Sequence, residues 1–262
     1  MATSKYFMKV VLPESAHYGC EGLEYTRTPT SPCYNYLMRL LAIGDIHGCL
    51  TALEHLLDFV APVPGDTIVS LGDYVDRGPD SKGVLDRLIE LHREGILIPL
   101  RGNHELMMLG AYVGGQDDIR FWLSVGGIEA MESYQVGHDE PTFDHVPEAH
   151  WDFIKNICND WHETEDHLFV HASLKPYVPI EEQRSEDLHW GHFTLGKHVA
   201  HISGKTVVCG HTQQNSGVPL DLGTGICIDT FAYGGGWLTC LDVISGEYWQ
   251  TNELGNRRRG RR

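Results

Sequence analysis

"MRLLAIGDIHGCLTALEHLLDFV", residues 38–60, sets the plan of the chain. "RLLAI" (39–43) is an apolar run long enough for a buried strand and too short for a core helix. "GDIHG" (44–48) is a polar turn held between glycines, after which Leu50, Leu53, Leu56, Leu57 and Val60 recur at the spacing of one helix face. The same order returns twice. "DTIVSL" (66–71) leads into "GDYVDRG" (72–78), and Ser81 is placed to cap a helix carrying Val84, Leu85, Leu88 and Ile89. "ILIPL" (96–100) leads into "RGNHE" (101–105) and a third helical start, "LMMLGAY" (106–112). Three strand–loop–helix units in succession imply parallel strands joined by right-handed crossovers. Ligands of such sheets bind beyond the carboxyl ends of the strands, where all three polar loops fall.

Downstream, residues 111–160 read as a polar, aromatic-containing segment with helical stretches such as "DDIRFWLSVGGIEAMESY" (117–134), placed to cover one side of a site and to set selectivity. Four short strands follow in "HLFVHASL" (167–174), "KTVVCGHT" (205–212), "GICIDT" (225–230) and "WLTCLDV" (237–243), with few helical patterns between them. A second sheet packed on the first accounts for them. The fold expected is α/β, two mixed β-sheets packed as a sandwich flanked by helices.

Composition narrows the class. With 262 residues, 42% of them hydrophobic, the chain has material for one large domain. No apolar run is long enough for a membrane helix and the start has no signal-peptide pattern, so a cytoplasmic protein with no membrane partner is expected. Seven cysteines without a C-x-x-C pair point to reduced thiols used as packing, Cys49 and Cys209 among them. A net charge of −16 leaves no broad basic footprint for nucleic acid. The exception is "GNRRRGRR" (255–262), part of a basic tail over 251–262, expected as a solvated terminus or, alternatively, as an RNA- or partner-docking arm. Residues 1–37 lack either hydrophobic period and read as a poorly ordered extension, with Met38 a candidate start.

The strand-end loops collect Asp45, His47, Asp73, Asn103, His171 and His211. An oxygen and imidazole set without thiolate suits two Mn, Fe or Zn ions, with one carboxylate able to bridge them. Gly44, Gly48, Gly72, Gly78, Gly102 and Gly210 allow the tight turns that aim these side chains together.

"GDIHG", "GDYVDRG" and "GNHE", followed by the histidines of "VHA" and "CGHT", resemble the calcineurin-like metallophosphoesterases, in particular the bacterial serine/threonine members of the phosphoprotein phosphatase branch. The resemblance covers about Met38 to Gln250, and sets a catalytic domain of 38–250. It implies that Asp45 and His47 hold one ion, that Asn103, His171 and His211 hold the other, and that Asp73 bridges. It further implies that a hydroxide held between two divalent transition metal ions, Mn²⁺ foremost, attacks phosphorus without a phosphoenzyme. Arg77 is the expected phosphate clamp, His104 the general acid and Asp76 its orienting partner. One departure stands out. The family's second phosphate-binding arginine has no clear match: "LHWGHF" (188–193) occupies the similar stretch, so either the clamp is weaker or Arg184, Lys205 or His192 substitutes.

Bland readings stand beside these. A lone Asp before a helix is most often an N-cap. Tyr233 could touch substrate or merely pack, and Asp229 could support a metal-binding histidine or cap a turn. The leading function is hydrolysis of phosphoserine and phosphothreonine in proteins or peptides, and the alternative is symmetrical cleavage of dinucleoside tetraphosphates. A metal-stabilised binding module would not need the intact His104, Asp76 and Arg77 set.

Overall fold

The computed structural model describes residues 38–139 and 141–262. The expected extension at 1–37 lies outside them. Strands β1 (Leu40–Ile43), β2 (Thr67–Ser70) and β3 (Leu97–Pro99) alternate with helices α1 (Leu50–Val60), α2 (Ser81–Arg93) and α3 (Asn103–Val113). The three strands pair in parallel, Leu41 opposite Ile68 and Ile68 opposite Leu97, as the repeated order requires. Next come the helices α4 (Gln116–Trp122), α5 (Ile128–Ser133) and α6 (Glu148–Asp152), with a kinked turn, Leu123–Gly127, between the first two, where Gly126 leaves helical geometry. The second half supplies β4 (Trp161–Glu163), β5 (His167–Val170), α7 (Ser185–Trp190), β6 (Thr206–Cys209), β7 (Leu220–Asp221), β8 (Gly225–Cys227), β9 (Leu238–Asp242), β10 (Glu247–Thr251) and β11 (Arg257–Arg261). Among the described residues no helix is long and apolar enough to cross a membrane.

Two mixed sheets result, one ordered β11-β10-β9-β1-β2-β3 and the other β4-β5-β6-β8-β7. Alternation along the strands decides which face meets which layer. Ala42, Val69 and Leu241 of the first sheet pack with Phe169, Val208 and Ile226 of the second to fill the sandwich. Leu41, Ile43 and Ile68 point the other way, into α1 and α2, where Leu53, Leu56, Leu57 and Val60 are buried as their spacing predicts. The second sheet buries its outer face, Leu168, Val170 and Val207, under Leu188 of α7 and Phe193.

Three expectations are corrected. β9 does not join the second sheet: it pairs antiparallel with β1, Ala42 opposite Leu241, because an apolar strand fits either layer and only the turns decide. Ser81 does not cap α2. Asp80 does, its carboxylate accepting from Gly83 N at 2.7 Å, while Ser81 Oγ accepts from the amide of Asp76. Finally, the basic tail is a strand, β11, so the ordered domain extends past residue 250. Its arginines are not a free cationic arm. Arg258 lies over the Trp237 ring and donates to Gln250 and Gly217, Arg257 pairs with Asp58, Arg259 with Glu247 and Arg262 with Asp221, and Arg261 donates to the Ser245 carbonyl.

The entry to β1 is pinned electrostatically. Asp66, whose side chain is fully buried, accepts from the backbone of Arg39 and Val63 and from the Arg39 guanidinium, which also caps the end of α1 through the Val60 and Ala61 carbonyls. Burial alone would push this carboxyl up, but its hydrogen bonds from Arg39 and Val63 hold it below its ordinary value of 3.8. A lowered carboxyl contributes stability that is present above 3.8 and lost as pH falls through the folded value. Asp66→Ala is therefore expected to cost about 3 kcal/mol in urea unfolding at neutral pH, because it strands a partly buried guanidinium. That gap should shrink as the pH drops into the acid range. A pH-independent gap would refute the electrostatic account.

Candidate active site

The loops after β1, β2, β3, β5 and β6 converge at one end of the sandwich. Five of the residues they present have left-handed backbones: His47 (φ 46°), Asp73 (φ 52°), Asp76 (φ 73°), Arg77 (φ 70°) and His211 (φ 59°). Such backbone is unfavourable for residues with a Cβ, and it persists here because neighbouring loops hold it. Glu105, on the first turn of α3, is the main tie. Its carboxylate accepts from Gly102, Asp73, Tyr74 and Val75 amides at 2.7–3.2 Å, fastening the second loop to the third. Burial, then the nearby Asp73, pushes that carboxyl up to about 7. Two glycines permit close approach: a side chain at Gly102 would collide with Asp73 Oδ1, and one at Gly210 with Asp45 Oδ1.

The six expected metal ligands are brought together. Asp73 lies centrally, Oδ2 at 3.4 Å from His47 Nε2 and Oδ1 at 3.4 Å from His171 Nε2. Asn103 Oδ1 is 2.9 Å from both His171 Nε2 and His211 Nδ1. Asp45 takes the His211 amide on both carboxylate oxygens. The tautomers disclose what the cluster is built for. His47 Nδ1 donates to the Val75 carbonyl at 2.9 Å and His171 Nδ1 to the Leu71 carbonyl at 2.7 Å, so in the neutral ring each Nε2 carries a lone pair. Burial depresses both imidazoles, and burial together with His171 lowers His211 to about 3. With Nδ1 committed to the Leu71 carbonyl, the neutral His171 ring presents its Nε2 lone pair to Asn103 Oδ1 at 2.9 Å. At the other corner the Arg77 guanidinium donates to His47 Nε2 at 2.9 Å.

The carboxylates fit the same purpose. Burial, then Asp229 and Asp73, raises Asp45 well above its usual range, whereas for Asp73 the imidazoles of His171, His104, His47 and His211 overcome burial and hold it far below. Converging lone pairs and clustered carboxylates fit divalent cations, and His47, Asp73 and His104 on one side and Asp73, His171 and His211 on the other form two donor groups.

Asn103 and His104 diverge. His104 Nδ1 is 2.6 Å from Asp76 Oδ2, its ring meets that of His47 edge-on at 4.7 Å, and its own amide donates to Asp73 Oδ1. Burial would lower His104, but Asp73 and Asp76 together raise it. Burial raises Asp76, opposed by hydrogen bonds from His104 and Trp122. Arg77 is steered by the Val125 carbonyl at 3.4 Å and by Tyr233, whose ring centre lies 4.7 Å from the guanidinium carbon and 5.0 Å from the His47 ring. Tyr233 is thus brought into contact with the site.

The substitutes for a second arginine separate clearly. Arg184, just before α7, is turned to solvent and paired with Glu186 and Asp187 of that helix. Lys205 is bound to Glu163 and the Thr164 carbonyl, before the opposite end of β6. His192 lies beside the centre, its ring 5.4 Å from that of His211. Asp229 caps a turn, accepting from the Phe231 amide, and burial pushes it up to about 6. Sequence reasoning missed Glu105 and Trp122 as site residues. The first carries a signal, an acid three residues after the turn glycine, but Trp122 reads as an ordinary core aromatic.

Comparison with known proteins agrees with this geometry. Residues 38–215 match the calcineurin-like phosphoesterase family. The chain is 33% identical over 208 residues to serine/threonine-protein phosphatase 1 of Salmonella typhimurium, covering 77% of this chain and 90% of that protein. A symmetrical bis(5′-nucleosyl)-tetraphosphatase of an Acidovorax species is 46% identical over 78 residues, 29% of this chain and 27% of that protein. Among solved structures, a cold-active protein-tyrosine phosphatase from a psychrophilic Shewanella species superposes with a TM-score of 0.56 at 17% identity, over 85% of this chain and 80% of that one.

Proposed function

We propose that this chain, which belongs to the calcineurin-like phosphoesterase family, is a metal-dependent serine/threonine protein phosphatase. The observation that carries the substrate class is the extent of likeness: it spans 90% of a serine/threonine phosphatase and only 27% of the tetraphosphatase. The charge of the site agrees. A tetraphosphate brings several anionic groups beyond the scissile one, and neither Arg184, turned to solvent and paired with Asp187, nor Lys205, at the far end of β6 and paired with Glu163, is placed to meet them.

Asp45, His47, Asp73, Asn103, His171 and His211 would hold two divalent ions, Mn²⁺ foremost and Fe or Zn as alternatives. Such ions, when bound, supply Lewis acidity that makes water a nucleophile near neutral pH and offsets charge on phosphoryl oxygens. The chain's own residues do the rest. The Arg77 guanidinium grips two phosphate oxygens through its planar fork, held in place by Val125 and Tyr233. His104 delivers the proton to the departing serine or threonine oxygen from Nε2, since Nδ1 is committed to Asp76. Asp76 keeps the ring aimed and stabilises its protonated form. Phosphorylated proteins or peptides in the cytoplasm are the partners this reading implies, with neither a membrane nor a nucleic acid among them.

Side-by-side assays with added Mn²⁺ test the reading. kcat/KM for a phosphoserine peptide is expected to exceed that for diadenosine tetraphosphate by about tenfold or more. The reverse ratio would establish the dinucleoside polyphosphate alternative.

A further inference from the structure

We infer that Trp122 is a positioning residue for proton delivery, its indole N–H fixing the Asp76 carboxylate against His104 from the far end of α4. The inference rests on the reading of His104 and Asp76 just given. Trp122 is completely buried, and its Nε1 lies 3.0 Å from both Oδ1 and Oδ2 of Asp76, whose Oδ2 is in turn 2.6 Å from His104 Nδ1. The torsion that turns an aspartate carboxylate is broad and soft, so a single imidazole partner does not fix its plane. A donor shared between the two oxygens does. Phe143 stacks beside the indole at 5.6 Å and fixes its ring in turn.

The turn that follows is shaped to permit this. Gly127 lies against the indole, where a Cβ would come within 2.5 Å of the ring, and Gly126, at φ 123°, lies against Arg77, where a Cβ would come within 2.6 Å of Cγ. Through the same turn the Gly126 carbonyl accepts from the Arg77 amide at 3.0 Å and the Val125 carbonyl from Arg77 Nε. This one kinked turn therefore adjoins both the proton donor's support and the phosphate clamp. A tryptophan present only to fill the core would need neither the shared hydrogen bond nor the paired glycines.

Trp122→Phe keeps the ring packing and removes the N–H. In the full-length, metal-loaded protein it is expected to lower kcat on a phosphoserine peptide about tenfold, with KM within about twofold, and to change kcat on 4-nitrophenyl phosphate by less than about threefold. Added to Asp76→Asn it should cost nothing further, since the two act through one contact. Equal losses on both substrates, or a loss confined to KM, would overturn the inference and leave Trp122 a packing residue. His104→Asn measured in parallel separates the levels. If that variant shows leaving-group dependence and Trp122→Phe does not, only the role of Trp122 falls; if His104→Asn shows none, the proton-delivery reading falls with it. Should Trp122→Phe not fold, nitrogen-15 NMR decides: Asp76→Asn is expected to shift one slowly exchanging indole N–H, and unchanged indole signals would overturn the inference.

Discussion

Asp73→Asn is expected to reduce kcat on any phosphoester by about 10³-fold or more, and by more than His47→Asn. The reason is the central position of this one carboxylate, which faces His47 through one oxygen and His171 through the other. It is the side chain common to both donor groups. Asparagine keeps an oxygen that can accept the His104 amide, so the loop should survive, but it deletes the negative charge that both groups share. Metal content gives an independent reading. Elemental analysis of the saturated native protein should return close to two divalent ions per chain and the variant markedly fewer. A native protein with a single tightly bound ion and full activity would refute the two-ion centre.

His104→Asn is expected to lower kcat on a phosphopeptide by about 10² to 10⁴, the usual contribution of a general acid, and visibly less on 4-nitrophenyl phosphate. A serine alkoxide is a poor leaving group and needs its proton as the bond breaks; a nitrophenolate departs without one. Metal content should not change, because Asn103 and not His104 faces His171 and His211. Loss of an ion in this variant would mean that the two neighbours exchange roles. Equal losses on the two substrates would mean that His104 acts elsewhere than on the leaving oxygen.

The parts of the molecule legible from sequence are those where a local pattern coincides with a global constraint. β1, β2 and β3 are short apolar runs ending in polar glycine turns, and each turn must point to the same end of a parallel sheet, so the ligands could be gathered before any contact was known. What escaped has specific causes. β9 is buried along its whole length, so its pattern does not choose between the layers and the choice of sheet falls to the turns around Gly234 and Gly246. β11 is almost all arginine and offers no apolar alternation, although β10, Trp237 and a set of acids give those arginines partners. Trp122 touches Asp76 across 46 residues of chain, and the tryptophan itself has the appearance of any core aromatic. The second phosphate arginine is absent as a pattern, and the structure offers His192 in its neighbourhood rather than a guanidinium.

The left-handed backbone at His47, Asp73, Asp76, Arg77 and His211 has an evolutionary consequence. In backbone conformation alone, glycine would be favoured at His47, Arg77 and His211 by about 1 kcal/mol or more, and by less at Asp73 and Asp76, a residue type that tolerates this region. Selection for thermal robustness alone would therefore favour erasing this site before it touched the sheets. A lineage released from its substrate should drift toward glycine at these five places while keeping its sandwich intact, and a stability screen uncoupled from turnover would enrich the same inert sequences.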